Sequence, residues 1–341
     1  MLHFDCDYME GAHPLILERL LQTNMEQTAG YGNDPYTQSA KEKIRKACGC
    51  PKANIHFLVG GTQTNATVID GLLRSYEGVL AAETGHINVH ESGAIEFGGH
   101  KVIALPQENG KVNAAAVDRY ITNFYKDATY GHMVAPGMLY ISYPTEYGTL
   151  YSLAELEKLS TVCHKHHIPL FIDGARLGYG LMADTAEITL QDIARLSDVF
   201  YIGGTKVGAL FGEAVIVTNP ALLTNFFPII KQHGALLAKG RLLGIQFETL
   251  FTDDLYFRIA RHAIDMAQKL KQGFAQKGYR FFIDSPTNQQ FVILSHDKIE
   301  ALSTHVTFDM WGPTDDTHDI VRFATSWATQ ESDIDKLITL L

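Results

Sequence analysis

Short apolar segments alternate with longer segments of helical periodicity along most of the chain. Seven apolar segments predict strands, at residues 54–59, 79–82, 101–104, 138–142, 169–173, 198–203 and 213–217. Between them, apolar residues that recur every three or four positions predict helices, at residues 62–75, 113–124, 153–167 and 190–196. This alternation is typical of βαβ units. Because the strands lack strict polar alternation, we expect a mainly parallel sheet covered on both faces.

The pattern changes after Leu236, where long helical segments precede short strands. Gly240 interrupts the first of these helices, so we expect a break there. The predicted elements are helices at residues 236–251 and 254–275, strands at residues 291–295 and 321–325, and a closing helix after residue 330. The sequence therefore predicts a large, mainly parallel α/β domain at residues 1–245 and a small α+β domain at residues 246–341.

The composition of the chain indicates which classes of protein it can and cannot belong to. Hydrophobic residues make up 46% of the 341 residues and charged residues 19%, which indicates a folded globular chain. The net charge of −10 opposes binding to nucleic acid or to an anionic membrane. No apolar run reaches the length of about 20 residues that a membrane helix needs, and no export signal is visible. Four cysteines are too few for a disulfide framework, so we expect a cytoplasmic protein with reduced thiols.

Candidate chemistry lies where predicted strands end, because open α/β sheets bind ligands beyond the carboxyl ends of their strands. Gly60, Gly61, Thr62 and Gln63 follow the first strand of the large domain and open a helix. Backbone N–H groups at such a helix start can bind a phosphate. An ordinary turn with Thr62 as the helix cap is the alternative.

Two further strand ends carry charged side chains. Asp173 and Arg176 flank two small residues directly after an apolar strand, where a carboxylate is half-buried and needs a cationic partner. A surface ion pair is the alternative. Lys206 follows Gly203, Gly204 and Thr205 at the next strand end. A lysine in that position can lose its proton near neutral pH and react with an aldehyde, although most such lysines are solvated.

Together, the phosphate turn, the acid and the lysine suggest one ligand. A cofactor with a phosphate, a basic ring nitrogen and an aldehyde would use all three groups, and pyridoxal phosphate is that molecule. No metal site is predicted.

The chain resembles the L-threonine aldolases and related beta-eliminating lyases among the fold type I pyridoxal phosphate enzymes. The resemblance rests on residues 4–7 (Phe-Asp-Cys-Asp), residues 31–35 (Tyr-Gly-Asn-Asp-Pro), the Gly61-Thr62 turn, residues 173–176 (Asp-Gly-Ala-Arg), Lys206 and residues 322–325 (Arg-Phe-Ala-Thr). It covers nearly the whole chain and implies the fold of those enzymes.

The resemblance also implies roles for individual residues. Lys206 would bind the cofactor covalently, Asp173 would hold the ring nitrogen, and His86 would stack on the ring. Arg322 would bind the substrate carboxylate, and His86 or His132 would take the proton of the β-hydroxyl. The other implied contacts are Gly61, Thr62, Gln63 and Thr205 with the cofactor, Arg176 with the cofactor or the substrate, Asp7 and Tyr31 on the substrate side, and Arg241 with the phosphate of a neighbouring subunit.

The implied reaction is cleavage of the Cα–Cβ bond of a β-hydroxy-L-amino acid, giving glycine and an aldehyde, in a homodimer or homotetramer with shared sites. The family pattern changes at residues 142–146, which read Ser-Tyr-Pro-Thr-Glu instead of a segment with Glu-Asn-Thr-His, and at Cys6-Asp7, where Arg-Ser-Asp is common. Both changes concern the substrate side. Elimination from an aromatic or sulfur amino acid, giving pyruvate and ammonia, stays an alternative that four nearby tyrosines favour: Tyr31, Tyr36, Tyr143 and Tyr147.

Two weaker signals are given structural interpretations. Residues 178–183 fit a Gly-x-Gly-x-x-Ala nucleotide pattern, but no helical pattern begins there, so a protein that binds NAD without catalysis is the least favoured alternative. His164, His166 and His167 are expected to lie in the last turn of a helix, where they complement the helix dipole.

Overall fold

Fifteen strands and fourteen α-helices make up the regular structure, which a computed structural model describes for all 341 residues. The strands are β1 (Leu2–His3), β2 (Asn54–Leu58), β3 (Glu77–Ala82), β4 (Val102–Leu105), β5 (Gln107–Glu108), β6 (Lys111–Val112), β7 (Ala135–Ser142), β8 (Leu170–Asp173), β9 (Val199–Gly203), β10 (Glu213–Val217), β11 (Arg280–Ile283), β12 (Gln289–Ser295), β13 (Val306–Thr307), β14 (Asp309–Asp315) and β15 (His318–Ala324).

The helices surround these strands and are mostly short. They are α1 (Pro14–Thr23), α2 (Pro35–Cys48), α3 (Gly61–Leu72), α4 (His86–Val89), α5 (Ala94–Phe97), α6 (Ala114–Lys126), α7 (Leu153–His166), α8 (Leu177–Met182), α9 (Leu190–Leu196), α10 (Phe226–Gln232), α11 (Arg241–Leu250), α12 (Leu255–Gln276), α13 (His296–Ser303) and α14 (Glu331–Leu340), with 3₁₀ turns at Tyr130–His132 and Pro220–Leu223. None of the helices is both long and apolar enough to cross a membrane.

The seven strands predicted in the large domain form one sheet, in the order β2-β10-β9-β8-β7-β3-β4. Strand β10 is antiparallel to both of its neighbours, and the other strand pairs are parallel. Six strands therefore run in one direction, which confirms the mainly parallel sheet expected from the sequence.

Both faces of this sheet are buried, as the uninterrupted apolar strands predict. Alternate residues enter two separate cores, since successive side chains of a strand point to opposite faces. In β9, for example, Phe200 and Ile202 belong to the larger core with α7, α9 and α12, whereas Val199 and Tyr201 belong to the smaller core with α3 and α10.

Strand direction brings the candidate residues to one edge of the sheet. Ser142 ends β7 and pairs with Asp173 at the end of β8, and β9 ends beside them at Gly203. Because β10 is antiparallel, its first residue, Glu213, lies opposite Gly203 at the same edge. This edge therefore carries polar groups from four adjacent strands.

The C-terminal part contains a four-stranded antiparallel sheet, in the order β11-β12-β15-β14. The two strands expected near residues 291–295 and 321–325 are its buried central strands, β12 and β15. The edge strands β11 and β14 are more exposed, and β14 contains Gly312 and Pro313, so their sequences lack a strand pattern.

The helix predicted at residues 236–251 is present only from Arg241, where α11 begins; residues 236–240 are not helical, so Gly240 precedes the helix and does not interrupt it. A Cβ atom at Gly240 would lie 2.5 Å from the backbone nitrogen of Gly32, so only glycine fits this close approach. The division at residue 245 stays a prediction. Helix α11 spans that position, and β1 at the N-terminus pairs with β13 of the C-terminal part.

Candidate active site

Asp173 is the most extensively hydrogen-bonded carboxylate at this edge. Its Oδ1 accepts hydrogen bonds from the Tyr201 hydroxyl (2.5 Å) and the Ala175 N–H (3.0 Å), and its Oδ2 accepts from the Tyr140 hydroxyl (2.6 Å) and Asn65 Nδ2 (3.0 Å). Burial alone would raise the pKa of Asp173, but the nearby imidazole of His86 and these donors hold that pKa below its ordinary value. Asp173 therefore stays ionised.

Two adjoining cavities open at this edge, and four residues line both of them: His86, Glu146, Arg176 and Lys206. The inner cavity, about 160 Å³, is also lined by Gly61, Thr62, Asn65, Glu91, Asp173 and Tyr201. The outer cavity, about 580 Å³, is also lined by Tyr8, His90, Tyr147, Gln289, Trp311 and Arg322. The structure thus brings together the predicted lysine, acid and arginines.

Lys206 follows β9 in a turn between the two cavities. Burial lowers the pKa of Lys206, and the positive charge of Arg176 lowers it further, while Asp7, Asp173 and Glu213 act in the opposite direction. A lowered pKa increases the neutral fraction of the amine, which is the nucleophilic form.

The start of α3 faces the inner cavity, as predicted for a phosphate turn. Gly60 precedes the helix with extended backbone and no side chain caps it, so Thr62 is not the helix cap. The first backbone N–H groups of a helix have no helical carbonyl to bind. Gly61 and Thr62 line the cavity, whereas the Gln63 side chain accepts a hydrogen bond from the Val59 N–H.

Glu213 is a buried carboxyl group that sequence reasoning missed. It accepts hydrogen bonds from the Thr205 hydroxyl (2.8 Å) and the Gly204 N–H (3.2 Å), and burial raises its pKa to about 8. The Thr205 hydroxyl donates its proton to Glu213 and accepts from the Gly212 N–H, so that proton is not available to a cofactor, and the expected cofactor contact of Thr205 stays a prediction.

His86 begins α4 at the boundary between the cavities. Its Nδ1 lies 2.7 Å from Glu91 Oε1, and its backbone N–H donates to Glu146 Oε1 (2.9 Å). Glu91 also accepts from Asn65, whose Nδ2 contacts Asp173. A continuous hydrogen-bond network therefore connects His86 with Asp173.

Glu146 is a second carboxyl group whose importance the sequence did not reveal. Ser142 Oγ donates to it at 2.6 Å, and burial raises its pKa, partly offset by hydrogen bonds. The signal was the changed segment at residues 142–146, which ends with this glutamate.

His132 does not reach the site, which corrects the prediction that it acts as a base. It is exposed in the 3₁₀ turn before β7, at the opposite end of that strand from Ser142. Glu146, four residues after Ser142, lines both cavities.

Asp7 holds Arg176 instead of facing either cavity. Arg176 donates from Nε and Nη2 to the two Asp7 oxygens, at 2.7 and 3.0 Å, and Asn288 donates to one of them. Burial would raise the pKa of Asp7, but the charges of Arg176 and Lys206 together with the hydrogen bonds from Arg176 and Asn288 outweigh burial and lower the pKa to about 2. Asp7 is fully buried with both oxygens occupied, so its place is behind Arg176, not in contact with a substrate.

The family assignment follows from comparisons with known proteins. The model of the beta-eliminating lyase family matches residues 7–297. The chain belongs to this family. A low specificity L-threonine aldolase of Pseudomonas sp. is 30% identical over 98% of this chain and 95% of its own length. A structure of Leishmania major threonine aldolase is 43% identical, with a TM-score of 0.96, and covers 100% of this chain and 98% of its own.

More distant structures share the fold of this beta-eliminating lyase family member. A Thermus thermophilus aspartate aminotransferase mutant has a TM-score of 0.71 at 17% identity and covers 99% of this chain and 95% of its own. The predicted fold class, an α/β fold of the fold type I pyridoxal phosphate enzymes, is confirmed.

Two predicted site residues, Tyr31 and Arg241, line neither of the two cavities. Tyr31 is exposed, with Lys231 Nζ 4.8 Å from its ring centre. Arg241 donates to the backbone carbonyls of Glu26 (2.6 Å) and Asn24 (3.0 Å). Their roles at a site shared between subunits stay predictions.

Of the two weaker sequence signals, the absence of a helix at residues 178–183 is wrong, whereas the position of the three histidines is confirmed. Gly178 and Gly180 lie in α8, so a helix does begin there, contrary to expectation. A Cβ atom at either glycine would come within 2.9 Å of Tyr256 or Pro144, so close packing explains both glycines. His164 and His166 lie in the last turn of α7, as expected, and His167 ends that helix.

Replacing Glu213 by Gln should change how stability depends on pH. In the unfolded chain Glu213 ionises near its ordinary pKa of 4.5, but in the folded protein its pKa is about 8. The unfolded state therefore binds fewer protons in this interval, and the free energy of unfolding of the wild type falls as pH rises. We expect the wild type to lose on the order of 1–3 kcal/mol relative to Glu213→Gln between pH 5 and 8, by urea denaturation.

The exposed Glu42, replaced by Gln, is the matched control and should leave the profile unchanged. Parallel profiles for the wild type and Glu213→Gln would contradict the raised pKa.

Proposed function

We propose that this protein is a pyridoxal 5′-phosphate-dependent lyase that cleaves the Cα–Cβ bond of a β-hydroxy-L-amino acid, giving glycine and an aldehyde. The observation that carries the proposal is the convergence of Lys206, Asp173 and the start of α3 on the inner cavity, with Arg322 lining the outer cavity beside it. The threonine aldolases among its relatives support this substrate class.

The inner cavity fits each functional group of the cofactor. The start of α3 offers N–H groups to a phosphate, Asp173 offers a carboxylate to a ring nitrogen, and Lys206 offers an amine to an aldehyde. Asn65 Oδ1 and Glu91 Oε2 are buried there without hydrogen-bond partners, so the cavity keeps unused acceptors for a polar ligand. When bound, pyridoxal phosphate supplies an electron sink that stabilises negative charge at Cα.

The substrate carboxylate is assigned to Arg322. Its guanidinium lines the outer cavity, and its Nε is buried without a partner. A guanidinium binds a carboxylate through two parallel hydrogen bonds, which fixes the orientation of the amino acid. The β-substituent then lies toward Tyr8, Tyr147 and Trp311 in the outer cavity.

Glu146 and His86 are the groups that we propose take the proton of the β-hydroxyl. Both line both cavities, and the Glu146 carboxylate receives hydrogen bonds from Ser142 and the His86 N–H. Burial raises the pKa of Glu146, which makes its ionised form a stronger base than an exposed carboxylate. Glu91 fixes the His86 ring through Nδ1.

Elimination to pyruvate has less support from the geometry. It requires an acid at the leaving group, and of the four tyrosines that favoured it only Tyr147 lines a cavity. Tyr36 contacts Glu26, and Tyr143 is fully buried.

We also propose a homodimer or homotetramer in the cytoplasm. Helix α1 and the loop after it expose four large apolar side chains, Leu15, Leu17, Leu21 and Met25, and such exposure favours a surface covered by another subunit. Arg241 lies beside this loop, bound to its backbone, where it is near that surface.

The function is tested with purified protein loaded with pyridoxal phosphate. L-Threonine, L-allo-threonine and phenylserine should give glycine and aldehyde in equal amounts, whereas tyrosine and tryptophan should give little pyruvate. Lys206→Ala should abolish the formation of glycine and aldehyde, whereas Lys126→Ala, a change at an exposed lysine, should not. Borohydride reduction should attach the pyridoxyl group to the Lys206 peptide. Pyruvate as the main product, or a label on another lysine, would contradict the proposal.

Glu146→Gln keeps the shape of the side chain but removes its basicity. We expect kcat for L-threonine cleavage to fall by about 10²- to 10⁴-fold, the usual contribution of a general base, with a much smaller change in KM. Steady-state kinetics measure both parameters, and Glu108→Gln on the exposed β5–β6 hairpin is the control. A kcat within threefold of the wild type would assign the proton to His86 instead.

A further inference from the structure

Both terminal nitrogens of the Arg322 guanidinium already have partners within the protein. Nη1 donates to Gln289 Oε1 (3.0 Å), and Nη2 donates to the backbone carbonyl of Asp5 (3.0 Å) and lies 2.8 Å from Asp309 Oδ2. Nε is buried and has no partner. Nε and one hydrogen of Nη1 therefore have neither a hydrogen-bond acceptor nor an ion-pair partner, whereas Nη2 has both.

These free donors cannot bind a carboxylate in the bidentate way. A guanidinium offers two forks, Nε with Nη2 on its side and Nη1 with Nη2 at its end, and both include Nη2. Arg176 shows the side fork in this protein, since it uses Nε and Nη2 for the two oxygens of Asp7. One hydrogen of Arg322 Nη2 is donated to the Asp5 carbonyl, and the Asp309 carboxylate lies 2.8 Å from the same nitrogen as an ion pair. A second carboxylate can therefore reach Nη2 only if Asp309 moves away.

Asp309 is the partner that can leave. The other partner is the main-chain carbonyl of Asp5, whose neighbour Phe4 is fully buried and hydrogen-bonded at both backbone groups. Asp309, by contrast, contacts Arg322 through its side chain, which is 44% exposed at the start of the edge strand β14. Its Oδ2 accepts from Trp311 Nε1 at 3.1 Å. Rotation of this side chain frees Nη2 without disturbing the sheet.

We propose that Asp309 is an internal competitor for the substrate-binding position of Arg322 and thereby sets the affinity for the α-carboxylate of the amino acid. The inference rests on the proposed function for the identity of the ligand. Asp309 and an incoming amino acid each bring a carboxylate to the same nitrogen, and like charges at that distance repel. Substrate binding therefore includes the loss of the Asp309–Arg322 ion pair.

The test replaces Asp309 by Asn and by Ala in the cofactor-loaded enzyme. KM for L-threonine and the dissociation constant for glycine, measured by calorimetry, should both fall three- to tenfold, and Ala should have at least the effect of Asn. Asp315→Asn, at the exposed far end of β14, is the matched control and should change neither value. Trp311→Phe removes the hydrogen-bond donor that holds Asp309. Because Trp311 also lines the space for a β-substituent, only glycine binding is compared for this variant; its dissociation constant should fall by less than in Asp309→Asn, which keeps the test available if Asp309 variants fold poorly.

Each result decides the proposal. A higher KM and weaker glycine binding would mean that Asp309 orients Arg322, and unchanged values would mean that the ion pair does not oppose binding; either result overturns the proposal. Glycine binding requires no bond cleavage, so a protein that binds glycine but cleaves nothing would refute the proposed function while still testing Asp309. A holoenzyme that binds no amino acid would refute both.

Discussion

The ionised carboxylate of Asp173 is the constraint on which the rest of the site depends. Burying a carboxylate is unfavourable unless it is fully hydrogen-bonded. Here the donors come from different elements: Tyr140 from β7, Tyr201 from β9 and Asn65 from α3. The charge is thus maintained only when the sheet and α3 pack in their native register. Through Asn65 and Glu91 the same network fixes His86.

The buried carboxyl groups around Lys206 differ in protonation because their surroundings differ. The charges of Arg176 and Lys206 and the hydrogen bonds from Arg176 and Asn288 together lower the pKa of Asp7 to about 2. Glu213 has only neutral hydrogen-bond donors, and burial raises its pKa to about 8. Divergent pKa values within one site are how a protein assigns acid and base roles at neutral pH. Asp7 thus stays ionised and fixes Arg176, whereas burial favours the protonated forms of Glu213 and Glu146.

Much of the fold and the central residues of the site were predictable, and the missed parts have physical reasons. Apolar runs predicted all seven strands of the large sheet because both of its faces are buried. Strand direction then predicted that Asp173 and Lys206 meet. The same rule excludes His132, which precedes a parallel strand and therefore lies at the opposite edge. Glu213 could not be recognised, since its place at this edge depends on β10 being antiparallel.

The central claim is that Asp173 stays ionised beside the ring nitrogen of the cofactor and keeps that nitrogen protonated. The most direct measurement is the ¹⁵N chemical shift of ring-labelled pyridoxal phosphate bound to the wild type and to Asp173→Asn. The account predicts a protonated ring nitrogen in the wild type across neutral pH and an unprotonated one in the variant. An unprotonated nitrogen in the wild type, or the same shift in both proteins, would contradict it.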